Sequence, residues 1–402
     1  MTVPCPVRHY EVQDLTGLRF DPFLADLLND EPVARVRLPH GDGDTWVVTR
    51  YHDVKFVTSD PRFSRAAVPG ASFSKMTRHA VPLDQAVSFA DPPEHARIRG
   101  VVGKAFAKST VDGLRPEAEQ RVHDLIDAMV RDGAPGELVR RVTSPFPVAM
   151  IGTVLGVPPE DWPLTVDWAQ TVLSVARDQQ AADRAVAAKA AVGAYFRDLA
   201  AQRRAEPRDD LLTTLVSAQD EGIINEAEML ALTVLLQSNG WHAVRNNSSM
   251  MVYTLLTHPR LWDRLRAEPA AAPRVVEELL RFIPHKSGLG QPRIATEDVE
   301  VGGVLVRAGE AVYVSYLTAN RDERVFPDPE RIDIDRPDVP HLAFGYGPHY
   351  CMAPALARME SEVLLTALVR RLPELRLAVP VEQVPWPTGC LIRGPVELPV
   401  TW

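Results

Sequence analysis

The chain has 402 residues, 46% of them hydrophobic and 24% charged, with a formal net charge of −9. That length and composition support a large buried core, and the acidic balance excludes nucleic acid as the main partner, which would need a basic surface. The three cysteines, Cys5, Cys351 and Cys390, make no disulfide framework and no metal clip, which fits a reducing cytoplasm. The N-terminus has no apolar run of leader or anchor length, and no later segment offers about eighteen uncharged apolar residues, so no membrane span is expected.

In chain order, V-A-R-V-R-L and T-W-V-V-T-R alternate around the turn-rich H-G-D-G-D, which predicts a β-hairpin over Val33 to Arg50. Residues 61–90 show scattered Pro, Gly and Ser without a period and read as a long loop. From Pro92 to about Ala267 the pattern is helical. Pro116 to Arg131 spaces its apolar residues three and four apart, and Asn225 to His258 is proline-free and mostly apolar, long enough for a central buried helix. A further helix is expected near Pro273 to Phe282, then short strands in D-V-E-V-G-G-V-L-V and E-A-V-Y-V-S-Y. An irregular Pro/Asp-rich stretch follows from Asp322 to Pro340, then a last long helix from near Pro354 and a strand-like end. No repeat, linker or βαβ alternation divides the chain. It reads as one mainly α domain, residues 1–402, with small sheets.

The segment Phe344 to Arg358 reads F-G-Y-G-P-H-Y-C-M-A-P-A-L-A-R. Gly345 and Gly347 permit a tight loop and close approach to a flat ligand. Cys351 stands just before a helix start marked by Pro354. Orphan N–H groups and the helix dipole favour the thiolate there, and a thiolate so placed is a good axial iron ligand. The bland alternative is a glycine-rich loop around a buried cysteine.

F-G-x-G-x-H-x-C followed by L-A-R resembles the haem-binding signature of the cytochrome P-450 family. The resemblance runs from about residue 20 to Trp402. It implies an α-rich lobe and a β-rich lobe, with one haem b per chain between the central helix and the cysteine loop. Cys351 would ligate the iron, with Phe344 and Gly345 in the loop beneath the porphyrin. One departure is Ala353, where the family carries glycine two residues after the cysteine. Glu278 and Arg281 have the family's E-x-x-R spacing, which puts them on one helix face. Arg321, in A-N-R-D, resembles the third member of that buried ion network. The string D-P-P-E-H-A-R-I-R resembles the helix that holds the haem propionates, with His95 and Arg99 on one face. Arg293 and His349 match the other two propionate positions. Each alone would pass for a surface charge.

The central helix departs from the family. Counting back from His258-Pro259, Gly240 matches the family glycine, His242 falls where an acid stands and Ala243 where a threonine stands. The acid and alcohol normally relay protons to iron-bound oxygen, and alanine has no hydroxyl for that. Three readings stay open: His242 shuttles protons, the substrate or ordered water supplies them, or the enzyme activates oxygen poorly. Against a shuttle stands a histidine satisfied by a helix carbonyl. Asn239, Ala243 and Asn246 share a stripe, and with Asn247 they give the helix unusual polarity that a polar, amide-bearing substrate would match. For Trp241, core is the more common fate of a helical tryptophan. The string S-N-G-W-H-A-V-R-N-N resembles the bacterial subgroup that dimerises tryptophan-containing diketopiperazines, the cyclic dipeptides. That implies oxidative C–C or C–N coupling of an aromatic substrate, with two copies bound together.

By the same resemblance the substrate pocket draws on Phe63 to Ala90, Trp168 to Val175, the central helix, Ser287 to Gln291 and Thr388 to Leu391. The chain has no flavin or iron–sulfur motif, so a ferredoxin and an NAD(P)H-dependent ferredoxin reductase are implied. Arg97, Lys104 and Arg358 are candidate docking residues. A cytoplasmic monomer is expected. The competing classes are a conventional hydroxylase, a peroxide-driven or rearranging enzyme, and a non-catalytic haem carrier or recruitment protein.

Overall fold

The computed structural model describes residues 6–76, 86–173, 179–285, 288–337, 340–389 and 392–402. The expected hairpin forms between Val33–Arg37 and Thr45–Val48, with Val33 opposite Val48 and Val36 opposite Thr45. It is the heart of a six-stranded sheet whose order is Arg8–His9, Val33–Arg37, Thr45–Val48, Ala311–Val314, Arg293–Ala295 and Phe63–Ser64. Two of these strands come from beyond residue 290 and the last from the segment read as a loop, so the sheet ties distant parts of the chain together. Val299–Val301 and Val304–Val306 form a separate hairpin. The C-terminal strand Pro399–Thr401 pairs with Gly136–Glu137 and Arg376–Leu377.

The central helix runs Glu226–Thr257, 32 residues, a span of about 48 Å at 1.5 Å per residue. A capping box starts it: the Glu228 amide donates to Asn225 Oδ1 and the Asn225 amide to Glu228 Oε2, both at 2.9 Å. Pro259 begins the next helix and bars continuation. Around it packs one large core that includes Phe146, Trp241, Met251, Leu255, Leu364 and Leu368. A second core under the sheet holds Trp46, Val48, Val54, Phe63, Val312 and Phe326. These are the two expected lobes. Among the described residues no helix is long and apolar enough to cross a membrane.

Glu278 and Arg281 lie on the helix Ala272–Phe282 and are both buried. Arg281 donates to both Glu278 oxygens at 2.8 Å, and its remaining nitrogen caps the carbonyls of Asn320 and Pro329 at 3.0 and 2.9 Å. The third member of the network is not Arg321. Glu278 Oε1 instead accepts from the Asp333 amide at 2.8 Å and lies 3.5 Å from Arg336 Nε. Arg321 turns away, pairs with Glu330 at 2.9 Å and lies over the rings of Phe20 and Phe282, 4.3 and 4.9 Å from their centroids. The irregular stretch after Asp322 curls back and brings Arg336 to Glu278. That path has no periodicity for a sequence reading to follow.

Glu278→Ala strands the buried Arg281 charge and is expected to cost about 3–5 kcal/mol of stability. Arg321→Met, outside that network, should cost much less. Denaturant midpoints of the two variants check the assignment.

Candidate active site

Gly345 and Gly347 have φ of 78° and 75°, the left-handed region. A Cβ on Gly347 would sit 2.3 Å from the Thr58 carbonyl oxygen, so no other residue fits. The Cys351 amide donates to the Phe344 carbonyl at 2.8 Å and closes the loop. The 18-residue helix Pro354–Arg371 follows, with Pro354 at its first position. Cys351 is thus a half-buried thiol beside orphan helix N–H groups.

Next to this loop the fold gathers nitrogen-bearing side chains. His95 and Arg99 come from the helix Glu94–Val102, Arg293 from the sheet, and His349 from the cysteine loop. The His95 and His349 rings lie 4.3 Å apart, and Arg99 Nη2 donates to the Cys351 carbonyl at 3.2 Å. Burial pushes the His349 imidazole down to about 2, reinforced by the charges of Arg65, Arg293 and Arg99 and by His95. His95 is lowered by burial and then by Arg99 and Arg65. Arg65 was missed in the sequence. It follows directly on the strand Phe63–Ser64, and its amide donates to Asp91 at 2.9 Å. Burial, with Arg293 beside it, lowers its guanidinium to about 9. Its only sequence signal was an arginine ending the F-S-R triplet of an apparently structureless loop. Arg65 Nε and Arg293 Nη2 are buried without an acceptor. Buried N–H groups of this kind call for anionic partners, and a flat ligand carrying two carboxylates would supply them above the thiol.

The central helix meets its expectations unevenly. Asn239 is exposed although it lies mid-helix, and Ala243 is half-buried on the same stripe, so the helix borders open space there. Gly240 instead serves packing: a Cβ on it would lie 2.7 Å from Ile151 of the helix Pro145–Leu155. Asn246 leaves the stripe. It donates to the His242 carbonyl at 2.8 Å, accepts from Arg245 at 2.7 Å and presses against Gly394. Asn247 Oδ1 is buried without a partner. Trp241 is core, its indole N–H donating to Ser144 at 3.2 Å. Burial, then Arg245, holds His242 down to about 4, and its Nδ1 is buried without a partner. The imidazole is therefore neutral near pH 7, and that nitrogen has neither the titration near neutrality that the shuttle reading invoked nor a helix carbonyl as its partner.

Two of the three docking candidates are engaged. Arg97 forms a bidentate pair with Glu228 at 2.6 and 3.0 Å, and Arg358 one with Glu277 at 2.6 and 3.0 Å. Lys104 is exposed. Of the pocket segments named from sequence, residues 77–85, 174–175, 287 and 390–391 lie outside the described residues, as do Cys5 and Cys390.

The sequence pattern of the cytochrome P-450 family matches residues 174–386. Biflaviolin synthase of Streptomyces coelicolor is 44% identical over 399 residues, 99% of this chain and 97% of that protein. The chain is a cytochrome P-450. Nocardicin C N-oxygenase of Nocardia uniformis subsp. tsuyamanensis is 47% identical, covering 98% of each protein. A crystal structure of a cytochrome P-450 described as having biaryl coupling reactivity superposes with a TM-score of 0.93 at 43% identity, over 99% of this chain and all of that one. This P-450 is accordingly an oxidoreductase of the bacterial secondary-metabolism type, with one thiolate-ligated haem b per chain. The thiol loop and the acceptor-poor cationic cluster fit that group.

The cluster predicts opposite effects in the two forms of the protein. Arg293→Leu should stabilise the haem-free protein and weaken haem binding by about 1.5–3 kcal/mol, the worth of a charged hydrogen bond. Because His95 and His349 are lowered on folding, the unfolded chain binds more protons, so haem-free stability should decline as pH falls below about 6.5. Melts of both forms against pH check both effects.

Proposed function

We propose that this cytochrome P-450 joins two aromatic, tryptophan-containing diketopiperazines by a C–C or C–N bond. In this reading Cys351 ligates the haem iron, Phe344 and Gly345 shape the loop beneath the porphyrin, and His95, Arg99, Arg293, His349 and Arg65 hold its propionates. The haem supplies oxygen activation and one-electron oxidation. The observation that carries the proposal is the stripe at Asn239 and Ala243, flanked by a neutral His242, where no side chain carries a carboxylate or hydroxyl. A site so equipped relays protons poorly from its own residues and suits a substrate that brings its own N–H groups. Asn239 would position the substrate amide, and Ala243 leaves room for a second ring. The likenesses to biflaviolin synthase and to a P-450 with biaryl coupling reactivity support coupling chemistry.

The overall reaction removes one hydrogen atom from each of two substrates and forms one bond between them. Dioxygen is reduced to two waters by those two electrons together with two from NAD(P)H, delivered through a ferredoxin and its reductase, and the matching protons complete the balance. Lys104 is the docking cation left open by the ion pairs. The enzyme would work as a cytoplasmic monomer.

A conventional oxygen-inserting reading is favoured by the likenesses to nocardicin C N-oxygenase and to mycinamicin IV hydroxylase/epoxidase of Micromonospora griseorubida, 41% identical. Incubation with a tryptophan-containing diketopiperazine, ferredoxin, reductase, NAD(P)H and oxygen should yield a product of twice the substrate mass less two hydrogens. A product carrying one added oxygen would establish the other reading.

A further inference from the structure

We infer that Glu277 is a positioning residue for the cysteine loop, holding both ends of it on one carboxylate so that the sulfur keeps its geometry beneath the haem. The inference rests on Cys351 as the iron ligand. Glu277 neighbours the buried Glu278 in sequence but points elsewhere: it takes no part in the Arg281 network and stays partly exposed, at 44%. At the start of the loop the Ala343 amide donates to His341 Nδ1 at 3.2 Å, so the imidazole proton lies on Nε2 and is donated to Glu277 Oε2 at 3.2 Å. Beyond the end of the loop, Arg358 on the second turn of the following helix grips both oxygens of the same carboxylate.

The clasp reaches the sulfur through one aromatic ring. The Arg358 guanidinium lies 4.5 Å from the Phe344 ring centroid. The Phe344 carbonyl is the acceptor for the Cys351 amide at 2.8 Å. His341 flanks the same ring at 6.0 Å and Tyr350 at 6.4 Å. Burial pushes the Glu277 carboxyl up, but the hydrogen bonds from His341 and Arg358 prevail and hold it at about 2, so the clasp is charged at every ordinary pH. Without Glu277, Arg358 has lost its bidentate partner and keeps only Tyr350 of its two hydrogen-bond partners here, so its cover over Phe344 is held less firmly. The residue that sets the Cys351 amide hydrogen bond is then free to shift. Outer partners of this kind orient a metal ligand and tune the bound group.

The test uses the haem-loaded enzyme and three variants: Glu277→Ala, Arg358→Gln and the double change. Wild type must first show a thiolate-type reduced-CO band that Cys351→Ser abolishes. Failure there removes the ligand assignment, not the clasp alone. Given that band, each single variant should transfer haem to apomyoglobin about tenfold faster and show a larger thiol-type fraction in the reduced-CO spectrum. The double variant should be no worse than either single, because one clasp is broken only once. Wild-type transfer rates and spectra in Glu277→Ala, or effects that add in the double variant, would overturn the inference. If Glu277→Ala does not fold, Glu277→Gln, which keeps the shape and removes the charge, carries the same comparison.

Discussion

Three guanidinium groups and two imidazoles share a largely buried space in which some of their donors find no acceptor. Arg65 and Arg293 approach from the sheet, His95 and Arg99 from a helix, and His349 from the cysteine loop. The guanidinium charges repel one another and push both imidazoles toward the neutral form, and two of the guanidinium N–H groups are buried without a partner. A bound group with two carboxylates converts that repulsion into attraction. Strand, helix and cysteine loop are thus brought together at one cluster of buried donors, and ion pairs nearby hold those elements in place.

These ion pairs do separate jobs. Arg97 locks the helix Glu94–Val102 to the start of the central helix through Glu228. Glu278 gathers Arg281 and Arg336 and fixes a stretch with no regular structure of its own. Glu277, one residue away, faces the cysteine loop. Adjacent carboxylates on one helix thus serve the scaffold and the thiol separately. The same pairing removes Arg97 and Arg358 as open docking charges, since a guanidinium already held by two carboxylate oxygens has little left to offer an acidic partner.

The central helix shows how polarity in a core is disposed of. Asn246 is absorbed by a helix carbonyl, Arg245 and the backbone near Gly394. Trp241 is absorbed by Ser144 and Gly240 by close contact with Ile151. What remains toward open space is Asn239 beside an alanine, with a neutral imidazole nearby. That stripe carries neither a carboxylate nor a hydroxyl.

The cysteine loop, the E-x-x-R pair, the hairpin and the central helix could all be read in the sequence, because each is encoded over a few neighbouring residues by glycine, capping or periodicity. His95, Arg99, Arg293 and His349 were legible only as a resemblance, four scattered positions that singly look like surface charges. Arg65 in place of an anonymous loop residue, Arg336 in place of Arg321, the neutral state of His242 and the packing job of Gly240 were decided by the tertiary structure. Each depends on which distant groups come within a few ångströms, through sheet pairing and an irregular return path. Charge state and helix contact are set by burial and by neighbours, and local sequence carries neither.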